Sequence, residues 1–574
     1  MSDQVQSAIE AALLAQLNPL LPEYSQARDA GLNRPPRREL GDFASNLAMR
    51  YAKQTGFEPL ELARKLATCL DDIAVIERTE VVAPGFINMY LAEGKQAETI
   101  RRIIVAGESY GRGETKNLRV LVEYVSSNPT GPLHIGHGRG AAYGATLVNL
   151  LRFSGLEVEA EYYVNDAGRQ MATLALSVWL RGQEQQHQLI YPARCYQGKY
   201  VADLAQQYPL APWRGAQPIE SLTRDLPEDA EEAVDQCILR VREGVGSEAF
   251  DAMQQTIGKA MVELIQKQLS LFKVQIDNWF SEASLLGKVQ ACLDRLEARG
   301  HLYNKDGAQW FRSSVFGDEK DRVVVRANGS YTYFATDIAY HQDKCQRRYD
   351  KLINVFGADH HGYIERLKAA LKALGEDADR LDFVINQFAV LWRGKEKLAL
   401  STRAGVFVDL DALFNVIGVD EARFMYVTQR HDQHLEFDLE LAASQSRDNP
   451  VYYVNYAYAR AGQICQQAEK AGLGFNREQA LAQLDRLTED SELALIDKLE
   501  DFPALVQRAA KRNNPQALTV YARELAGLFH NYYASVRVID PAGPAQPRLA
   551  LCVALRQVVR NCLALLDITP PEQM

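Results

Sequence analysis

The order of apolar and polar positions divides the chain into segments of different periodicity. Apolar residues recur every three to four positions in residues 1–17 and around 60–70, which predicts helices. Residues 81–91 are predicted to form a short extended run around the turn Pro84-Gly85. Residues 118–125, LRVLVEYV, form an apolar run typical of a buried strand. A Pro/Gly turn at 129–132, a helix at 138–154 and a strand at 158–164 follow, and this order predicts a βαβ unit with a parallel sheet.

The rest of the chain continues this organisation. Further strands are predicted at 323–326, 352–356 and 383–390. The polar, mostly helical stretch at about 170–275 is too long for a loop and is predicted to be an inserted subdomain. Strand patterns fade beyond residue 406. The chain is therefore predicted to be multidomain, with a small α+β N-terminal domain (1–112), an α/β Rossmann-type core with a parallel sheet (113–405), a connecting stem region (406–448) and an all-α C-terminal bundle (449–574).

Composition and charge narrow the class of protein. The 574 residues are 47% hydrophobic and 24% charged, as in globular proteins with a large core. The net charge of −10 excludes a uniformly basic nucleic-acid coat, so an RNA partner would have to bind local basic patches. The eight cysteines include no C-x-x-C pair, which predicts neither a disulfide framework nor a thiolate zinc site. Neither a bilayer-spanning apolar run nor a targeting segment is recognised, so we expect a cytoplasmic protein.

The main chemical signal is the segment PLHIGHG at residues 132–138, called here the histidine turn, which joins the predicted strand to the predicted helix. A helix N-terminus offers free N–H groups and a partial positive charge to a phosphate. Gly136 and Gly138 would allow a close approach to the backbone, and His134 and His137 share one face. This arrangement predicts a nucleotide-phosphate site.

Other interpretations of the histidine turn are weighed beside this one. An isolated HxxH is more often a packed or surface pair than a set of ligands. A zinc site would need further ligands and a Glu base, and neither is nearby. A dinucleotide site is suggested by the glycines at 136, 138 and 140, with Glu157, Glu159 and Glu161 on the next strand. Against it, residues 126–133 separate these glycines from the preceding strand.

The flanks of the histidine turn carry more information than the turn itself. Residues 123–140, EYVSSNPTGPLHIGHGRG, resemble the signature of class I aminoacyl-tRNA synthetases and, in their flanks, that of the arginyl enzymes. The resemblance continues in the family's order at 41–46 (GDFASN), 84–88 (PGFIN), 162–170 (YYVNDAGRQ), 331–339 (YTYFATDIA), 357–360 (GADH) and 449–460 (NPVYYVNYAYAR). It implies an N-terminal tRNA-contacting domain, a class I catalytic domain and a helical anticodon-binding domain.

The resemblance also implies a reaction, in which L-arginine is ligated to tRNA(Arg) through an arginyl-adenylate with release of AMP and pyrophosphate. ATP with Mg²⁺ is the expected cofactor, with no structural metal, and a monomer is expected. The residues that it implies are His134, His137 and Arg403 for catalysis; His134, Gly136, His137, Gly138, Asp359, His360, Lys395 and Lys397 for ATP; Glu123, Ser126, Asn128, Asp166, Tyr333 and Asp337 for arginine; and Phe86, Asn88, Tyr453, Tyr456, Tyr533 and Met574 for tRNA. The arginine set agrees with chemistry, since a guanidinium is best bound by carboxylates and fixed hydroxyls. A pocket of this kind rejects other amino acids without an editing domain.

One segment departs from the family pattern. The second class I signature is a lysine-rich loop, KMSKR, and the matching segment here is RGKEKLALSTRAG at 393–405, called here the lysine-poor loop. Ala399 and Thr402 stand where the two lysines would be, and no basic residue lies at 130–133 to compensate. Arg403 keeps one cation, and Lys395, Lys397 and Arg139 are candidates for the others.

Two rival functions follow from these observations. The loss of both lysines from the lysine-poor loop is consistent with a paralogue that binds tRNA without activating an amino acid. The histidine turn alone is also consistent with a class I enzyme for a different amino acid or with a stand-alone nucleotidylyltransferase, although the full set of tRNA-binding segments counts against the latter.

Overall fold

The N-terminal part of the protein is a small α+β domain. A computed structural model describes residues 2–574, except 23, 34, 36–39, 74, 92–94, 185, 395 and 399–408. The elements of this domain are α1 (Ser2–Leu17), β1 (Leu32–Asn33), β2 (Phe43–Ser45), α2 (Leu47–Thr55), α3 (Pro59–Ala67), β3 (Ile76–Val82) and β4 (Phe86–Leu91). The antiparallel sheet has the order β1-β2-β4-β3 and shares a separate core with the helices. The extended run at 81–91 thus belongs to a hairpin, because Pro84 and Gly85 turn the chain.

A five-stranded parallel sheet in the order β12-β11-β5-β6-β7 forms the centre of the molecule and confirms the Rossmann-type core. Its strands are β5 (Arg119–Glu123), β6 (Glu157–Val164), β7 (Asn278–Ser281), β11 (Lys351–Gly357) and β12 (Leu381–Asn386). The chain leaves β5 toward β6 on one side and returns later to β11 on the other. This switch point opens a crevice at the carboxyl ends of β5 and β11, which is where parallel sheets bind ligands.

Helices and one small sheet surround the parallel sheet. They are α4 (Lys95–Ala106), α5 (Ile135–Phe153), α6 (Arg169–Gln183), α7 (Lys199–Gln207), α8 (Ala230–Val245), α9 (Ser247–Leu271), α10 (Leu286–Ala298), β8 (Leu302–Lys305), β9 (Ala308–Phe311), β10 (Arg322–Val325), α11 (Tyr333–Gln346) and α12 (Ile364–Leu374). The helices α6 to α9 confirm the predicted helical insertion, and residues 171–261 have a core of their own.

One of the later strand predictions was wrong in detail. The strand predicted at 323–326 is present as β10 and lies in a separate antiparallel sheet, β10-β9-β8. The strand predicted at 383–390 is interrupted at Gln387, whose N–H donates to the carbonyl of His431 instead of a neighbouring strand. The strands β7, β8 and β9 are each only four residues long, which is too short for a clear alternation of apolar and polar positions.

The end of the chain is helical, as predicted. Just before the stem lie β13 (Ala389–Arg393) and β14 (Glu396–Leu398), and the stem contains α13 (Leu410–Ile417), α14 (Val419–Tyr426), β15 (Leu435–Asp438) and α15 (Leu439–Ala443). The strand β15 was not predicted and pairs with β13. The bundle contains α16 (Pro450–Lys470), α17 (Arg477–Leu481), α18 (Asp490–Glu500), α19 (Phe502–Lys511), α20 (Gln516–Ser535) and α21 (Ala545–Ala564). The bundle shares one continuous core with the parallel sheet. The segment after α4 also joins the bundle, since Asn561 donates to the carbonyls of Gly107 and Tyr110.

No helix in the described parts of the chain is long and apolar enough to cross a membrane. All eight cysteines are free thiols.

Candidate active site

The histidine turn leads directly into α5, because His134 caps the first turn of that helix. The Nδ1 atom of His134 accepts a hydrogen bond from the N–H of Gly136 (3.0 Å), and the Nδ1 atom of His137 accepts one from the N–H of His134 (3.2 Å). The two imidazole rings stack with their centroids 3.7 Å apart. Since Nδ1 is an acceptor in each ring, the proton of each neutral ring lies on Nε2 and can be donated to a ligand.

Both histidines are neutral at pH 7. Burial lowers the pKa of His134 and lowers that of His137 to about 3, with a smaller contribution to the latter from the neighbouring His134. The pair therefore offers two neutral N–H donors at the N-terminus of a helix, rather than two cations.

The glycines of the histidine turn are required by neighbouring protein atoms. A Cβ atom at Gly136 would lie 2.7 Å from Cε1 of His134, and a Cβ atom at Gly138 would lie 2.6 Å from the hydroxyl of Tyr426. That hydroxyl donates to the carbonyl of Ile135 (2.8 Å) and holds the first turn of α5 against the stem. The group that approaches Gly138 closely is therefore the side chain of Tyr426, which the sequence did not indicate.

A polar pocket opens beside the histidine turn, at the carboxyl ends of β5 and β11. It brings together four of the residues predicted to bind arginine: Glu123, Ser126, Tyr333 and Asp337. Helix α11 carries the last two on one face, four positions apart, and contributes Tyr340 and His341 as well. Val125 and Ser126 have positive φ values of 69° and 40°, a strained conformation for side chains of these types.

A buried network fixes Glu123 before any ligand binds. Its carboxylate accepts a hydrogen bond from the Ser126 hydroxyl (2.9 Å) and pairs with the ammonium of Lys344 (2.5 Å), whose side chain is fully buried. Lys344 also donates to Asn354 (2.9 Å), and the Asn354 amide lies 2.7 Å from Nε2 of His341. The charge of Glu123 is therefore neutralised within the protein, and Asp337 is left as the deepest carboxylate for a ligand cation.

The Asp337 carboxyl has no hydrogen-bond donor among the residues that the structure describes. Burial, with Glu123 and Glu282 nearby, holds its pKa well above the usual range. Burial and the charge of Asp166 also raise the pKa of Glu282 to about 7. Three carboxyl groups with a single internal cation form a site that lacks positive charge, which a guanidinium would supply.

Glu282 and Lys344 are two charged residues of this cluster that the sequence did not reveal. Glu282 directly follows β7, and its position at the carboxyl edge could have been found only if that four-residue strand had been recognised. Lys344 lies two turns after Asp337 on α11, where a lysine ordinarily indicates a solvent-exposed face.

Two predicted arginine-binding residues lie outside the lining of this pocket. Asp166 accepts hydrogen bonds from the hydroxyl of Ser281 (2.5 Å) and the N–H of Ala283 (3.0 Å), which join the loops that follow β6 and β7. Asn128 is exposed and lies 3.1 Å from the amide of Asn165.

The structure assigns structural partners to the acidic residues of β6. Glu161 is fully buried and pairs with Arg347, Tyr340 and Asn278. Glu159 accepts a hydrogen bond from Tyr349, and Glu157 pairs with Arg119. These contacts leave no carboxylate on β6 for a ribose and count against the dinucleotide interpretation.

Of the cationic residues predicted to bind phosphate, the structure describes the side chain of Arg139 but not those of the lysine-poor loop. Arg139 is 1% exposed, and its guanidinium donates to the carbonyls of Gln387, Arg430 and Gln433, so it is not available to a phosphate. Lys395 and Arg403 lie outside the described residues. Asp359 and His360 lie in the short helical segment after β11, and Lys397 lies on β14, but their side chains are outside the described part.

The predicted tRNA residues of the bundle form one aromatic cluster on α16 and α20. His530 lies between Tyr453 and Tyr456, at 4.5 Å and 5.6 Å between ring centroids. The guanidinium of Arg460 lies over the rings of both Tyr456 and Tyr533.

The remaining predicted tRNA residues are placed separately. Phe86 is 39% exposed at the start of β4, and Met574 is 44% exposed at the chain end. Asn88 is 4% exposed, because it lies in the middle of β4 between β2 and β3. Its burial leaves Phe86 as the accessible side chain of this pair.

We expect acid to destabilise the protein through two buried histidines. Burial lowers the pKa of both His137 and His341 to about 3, below the value of about 6.5 in the unfolded chain. Their contribution to stability is complete above pH 6.5 and is lost as the pH falls toward 3, because the unfolded state binds protons first. Together they should lower the free energy of unfolding by about 3 kcal/mol between pH 7.5 and 5.5. Urea unfolding at both pH values measures this loss. An equal loss in the His341→Asn variant would contradict it.

Comparisons with known proteins agree with this arrangement. Three family models match consecutive parts of the chain: the arginyl tRNA synthetase N-terminal domain at 3–91, the class I (R) tRNA synthetase catalytic domain at 99–440 and the DALR anticodon binding domain at 454–574. The arginine–tRNA ligase of Thioalkalivibrio sulfidiphilus is 45% identical over 100% of both chains. That of Legionella pneumophila is 43% identical over 93% of both chains. The solved structure of the Thermus thermophilus arginyl-tRNA synthetase has the same fold, with a TM-score of 0.76 and 21% identity over 99% of this chain and 100% of that one.

Proposed function

The chain belongs to the arginyl-tRNA synthetase family, and we propose that its arginine site is the pocket around Asp337. The protein is an aminoacyl-tRNA synthetase that attaches arginine to tRNA with consumption of ATP. The single observation that carries the proposal is the buried Asp337 carboxyl, which has no ion pair with any cation of the described residues, while its neighbour Glu123 already pairs with Lys344.

In this proposal the guanidinium of arginine enters the pocket and pairs with Asp337, with Glu282 as the second carboxylate. Tyr333 lies at the mouth, 47% exposed, and its hydroxyl is a further polar partner. Glu123 and Ser126 hold the floor in place through the Lys344 network. Asn128 and Asp166 support the loops at the rim rather than the guanidinium.

The α-carboxylate of arginine attacks the α-phosphorus of ATP to give arginyl-adenylate and pyrophosphate, and a ribose hydroxyl of tRNA(Arg) then displaces AMP. We propose that the Nε2–H groups of His134 and His137, with the N-terminus of α5, donate to the phosphate oxygens as negative charge develops on them. The histidine pair supplies hydrogen bonds and no charge, since both rings are neutral.

Positive charge for the phosphates must come from elsewhere. We propose Arg403, Lys395 and Lys397 of the lysine-poor loop as its source, since the buried Arg139 is committed to main-chain carbonyls. Asp359 and His360 are proposed to lie near the adenosine. Among the described residues, no group of three or more His, Cys, Asp or Glu side chains could hold a metal ion. Mg²⁺ is therefore proposed to accompany the phosphates of ATP, where it would neutralise part of their charge.

The partner tRNA(Arg) is proposed to contact the exposed Phe86 and Met574 and the aromatic cluster of Tyr453, Tyr456 and Tyr533. The exposed Tyr533 and the half-buried Tyr456, both beside Arg460, suit the stacking of unpaired anticodon bases. On the basis of the family, we also propose that the protein acts as a monomer in the cytoplasm.

Replacing Tyr453 with Ala should raise the KM for tRNA about tenfold, because one base would lose its stacking partner. Tyr453→Phe keeps the ring and should stay within about twofold of the wild type. Aminoacylation at varied tRNA concentrations measures both values. If the alanine variant kept the wild-type KM, this tyrosine would not contact tRNA.

Exchange of pyrophosphate into ATP, measured with tRNA and each of several amino acids, tests the proposed function as a whole. Exchange with arginine alone is the expected result. No exchange with any amino acid would favour the inactive paralogue suggested by the lysine-poor loop. Exchange with another amino acid would show that the pocket has been assigned to the wrong substrate.

A further inference from the structure

The residue just before the two histidines is held by two distant segments of the chain. Leu133 is fully buried, and its N–H donates to the side-chain oxygen of Gln268 on α9 (2.7 Å). Its carbonyl accepts a hydrogen bond from the N–H of Leu410 (3.1 Å), one residue into the described chain after the lysine-poor loop. Both peptide groups at the start of the histidine turn are thus fixed from outside the turn.

Gln268 joins three segments of the chain, which are α9, the histidine turn and the start of α13. It is 2% exposed at the end of the inserted subdomain, and its amide nitrogen lies 3.5 Å from Oδ2 of Asp411, at the long limit of a hydrogen bond. The other oxygen of Asp411 is buried without a hydrogen-bond partner in the part of the chain that the structure describes. One buried amide therefore joins α9 to the histidine turn and to the first helix after the lysine-poor loop.

The inserted subdomain makes a second contact with the chain, just before the histidine turn. The hydroxyl of Tyr200, on α7, donates to the carbonyl of Thr130 (2.7 Å), and its ring packs beneath Gly131. On the opposite side, Tyr426 of the stem holds the carbonyl of Ile135. The histidine turn is therefore braced by the insertion on one side and by the stem on the other.

We propose that Gln268 is a positioning residue for adenylate formation, through which the inserted subdomain fixes the histidine turn against the start of α13. This inference rests on the proposed function. The phosphates of ATP must contact the donors of the histidine turn, and a shift of about 1 Å in such a site can lower a rate about 100-fold. The insertion is then part of the catalytic apparatus as well as a separate helical unit.

The test compares Gln268→Leu, which removes the acceptor of the Leu133 N–H, with the double variant Gln268→Glu/Asp411→Asn. The double variant keeps an oxygen for the Leu133 N–H and exchanges donor and acceptor between positions 268 and 411. Gln266→Leu is the matched control, because Gln266 is exposed on the same helix. In arginine-dependent pyrophosphate exchange with tRNA, Gln268→Leu should lower kcat by about 10- to 100-fold. The KM for arginine should stay within about twofold, because the proposed arginine pocket is formed by other segments. The double variant should recover most of kcat, and Gln266→Leu should equal the wild type.

The possible outcomes separate this inference from the proposed function. A wild-type protein without arginine-dependent exchange would contradict the proposed function itself. An active wild type together with an unimpaired Gln268→Leu variant would overturn the positioning role alone. The same would follow if the double variant lost as much kcat as Gln268→Leu. Should the leucine variant not fold, the single variant Gln268→Glu decides, because it places two carboxyls side by side at positions 268 and 411. A loss of kcat of about 10-fold in the single variant that Asp411→Asn restores would support the role, and an unimpaired single variant would contradict it.

Discussion

Replacing Asp337 with Asn is expected to lower kcat/KM for arginine by about 10³-fold, with the KM for ATP nearly unchanged. The substitution keeps the shape of the side chain and removes a buried carboxylate of the pocket that has no ion pair with any described residue. A buried guanidinium left without its partner costs about 3–5 kcal/mol, which corresponds to this loss. The phosphate donors belong to the histidine turn and are not altered.

Steady-state aminoacylation at varied arginine and ATP concentrations measures the effect. Asp294→Asn is the matched control, because Asp294 is exposed on α10, the helix packed against α11. Its kinetics should equal those of the wild type. An Asp337→Asn variant with a wild-type KM for arginine would show that the guanidinium binds elsewhere, with the Glu282 carboxylate as the next position to examine.

Replacing His137 with Ala is expected to lower kcat for adenylate formation by about 10²- to 10³-fold. This is the usual effect of removing one fixed N–H donor from a site where negative charge develops. The substitution also frees the N–H of His134, which donates to the His137 ring, so the cap of α5 is weakened as well. With neutral rings in both histidines, the lost rate comes from hydrogen bonds and not from charge.

Pyrophosphate exchange at saturating arginine, ATP and tRNA measures this change. His137→Asn retains an N–H donor and should lose less activity than the alanine variant, while the exposed His434→Ala is the control for removal of an imidazole. A near-normal exchange rate in His137→Ala and in His134→Ala would refute the proposed role of the pair. In that case the lysine-poor loop would have to supply all phosphate contacts.

The fold class and four residues of the proposed arginine site could be predicted, because short stretches of sequence indicate them. The apolar run at 118–125, the histidine turn and the helix after it are adjacent in sequence, so their order already defines a βαβ unit. Tyr333 and Asp337 are four positions apart, which places them on one helix face. The strand at 323–326 was predicted but not its sheet, because apolar composition predicts a strand but not the partner with which it pairs.

The sequence by itself determined most of the helices and the central strands, the histidine turn and four of the residues that meet in the proposed arginine pocket. Tertiary structure alone decided which charged groups are already neutralised. Glu123 and Asp337 have the same chemistry in sequence, but only Glu123 has a lysine buried beside it. Arg139 appeared to be a phosphate ligand until three main-chain carbonyls from residues nearly 250 or more positions away surrounded it. Hydrogen bonds and charge pairs of this kind join residues that are distant along the chain, and local sequence patterns therefore do not predict them.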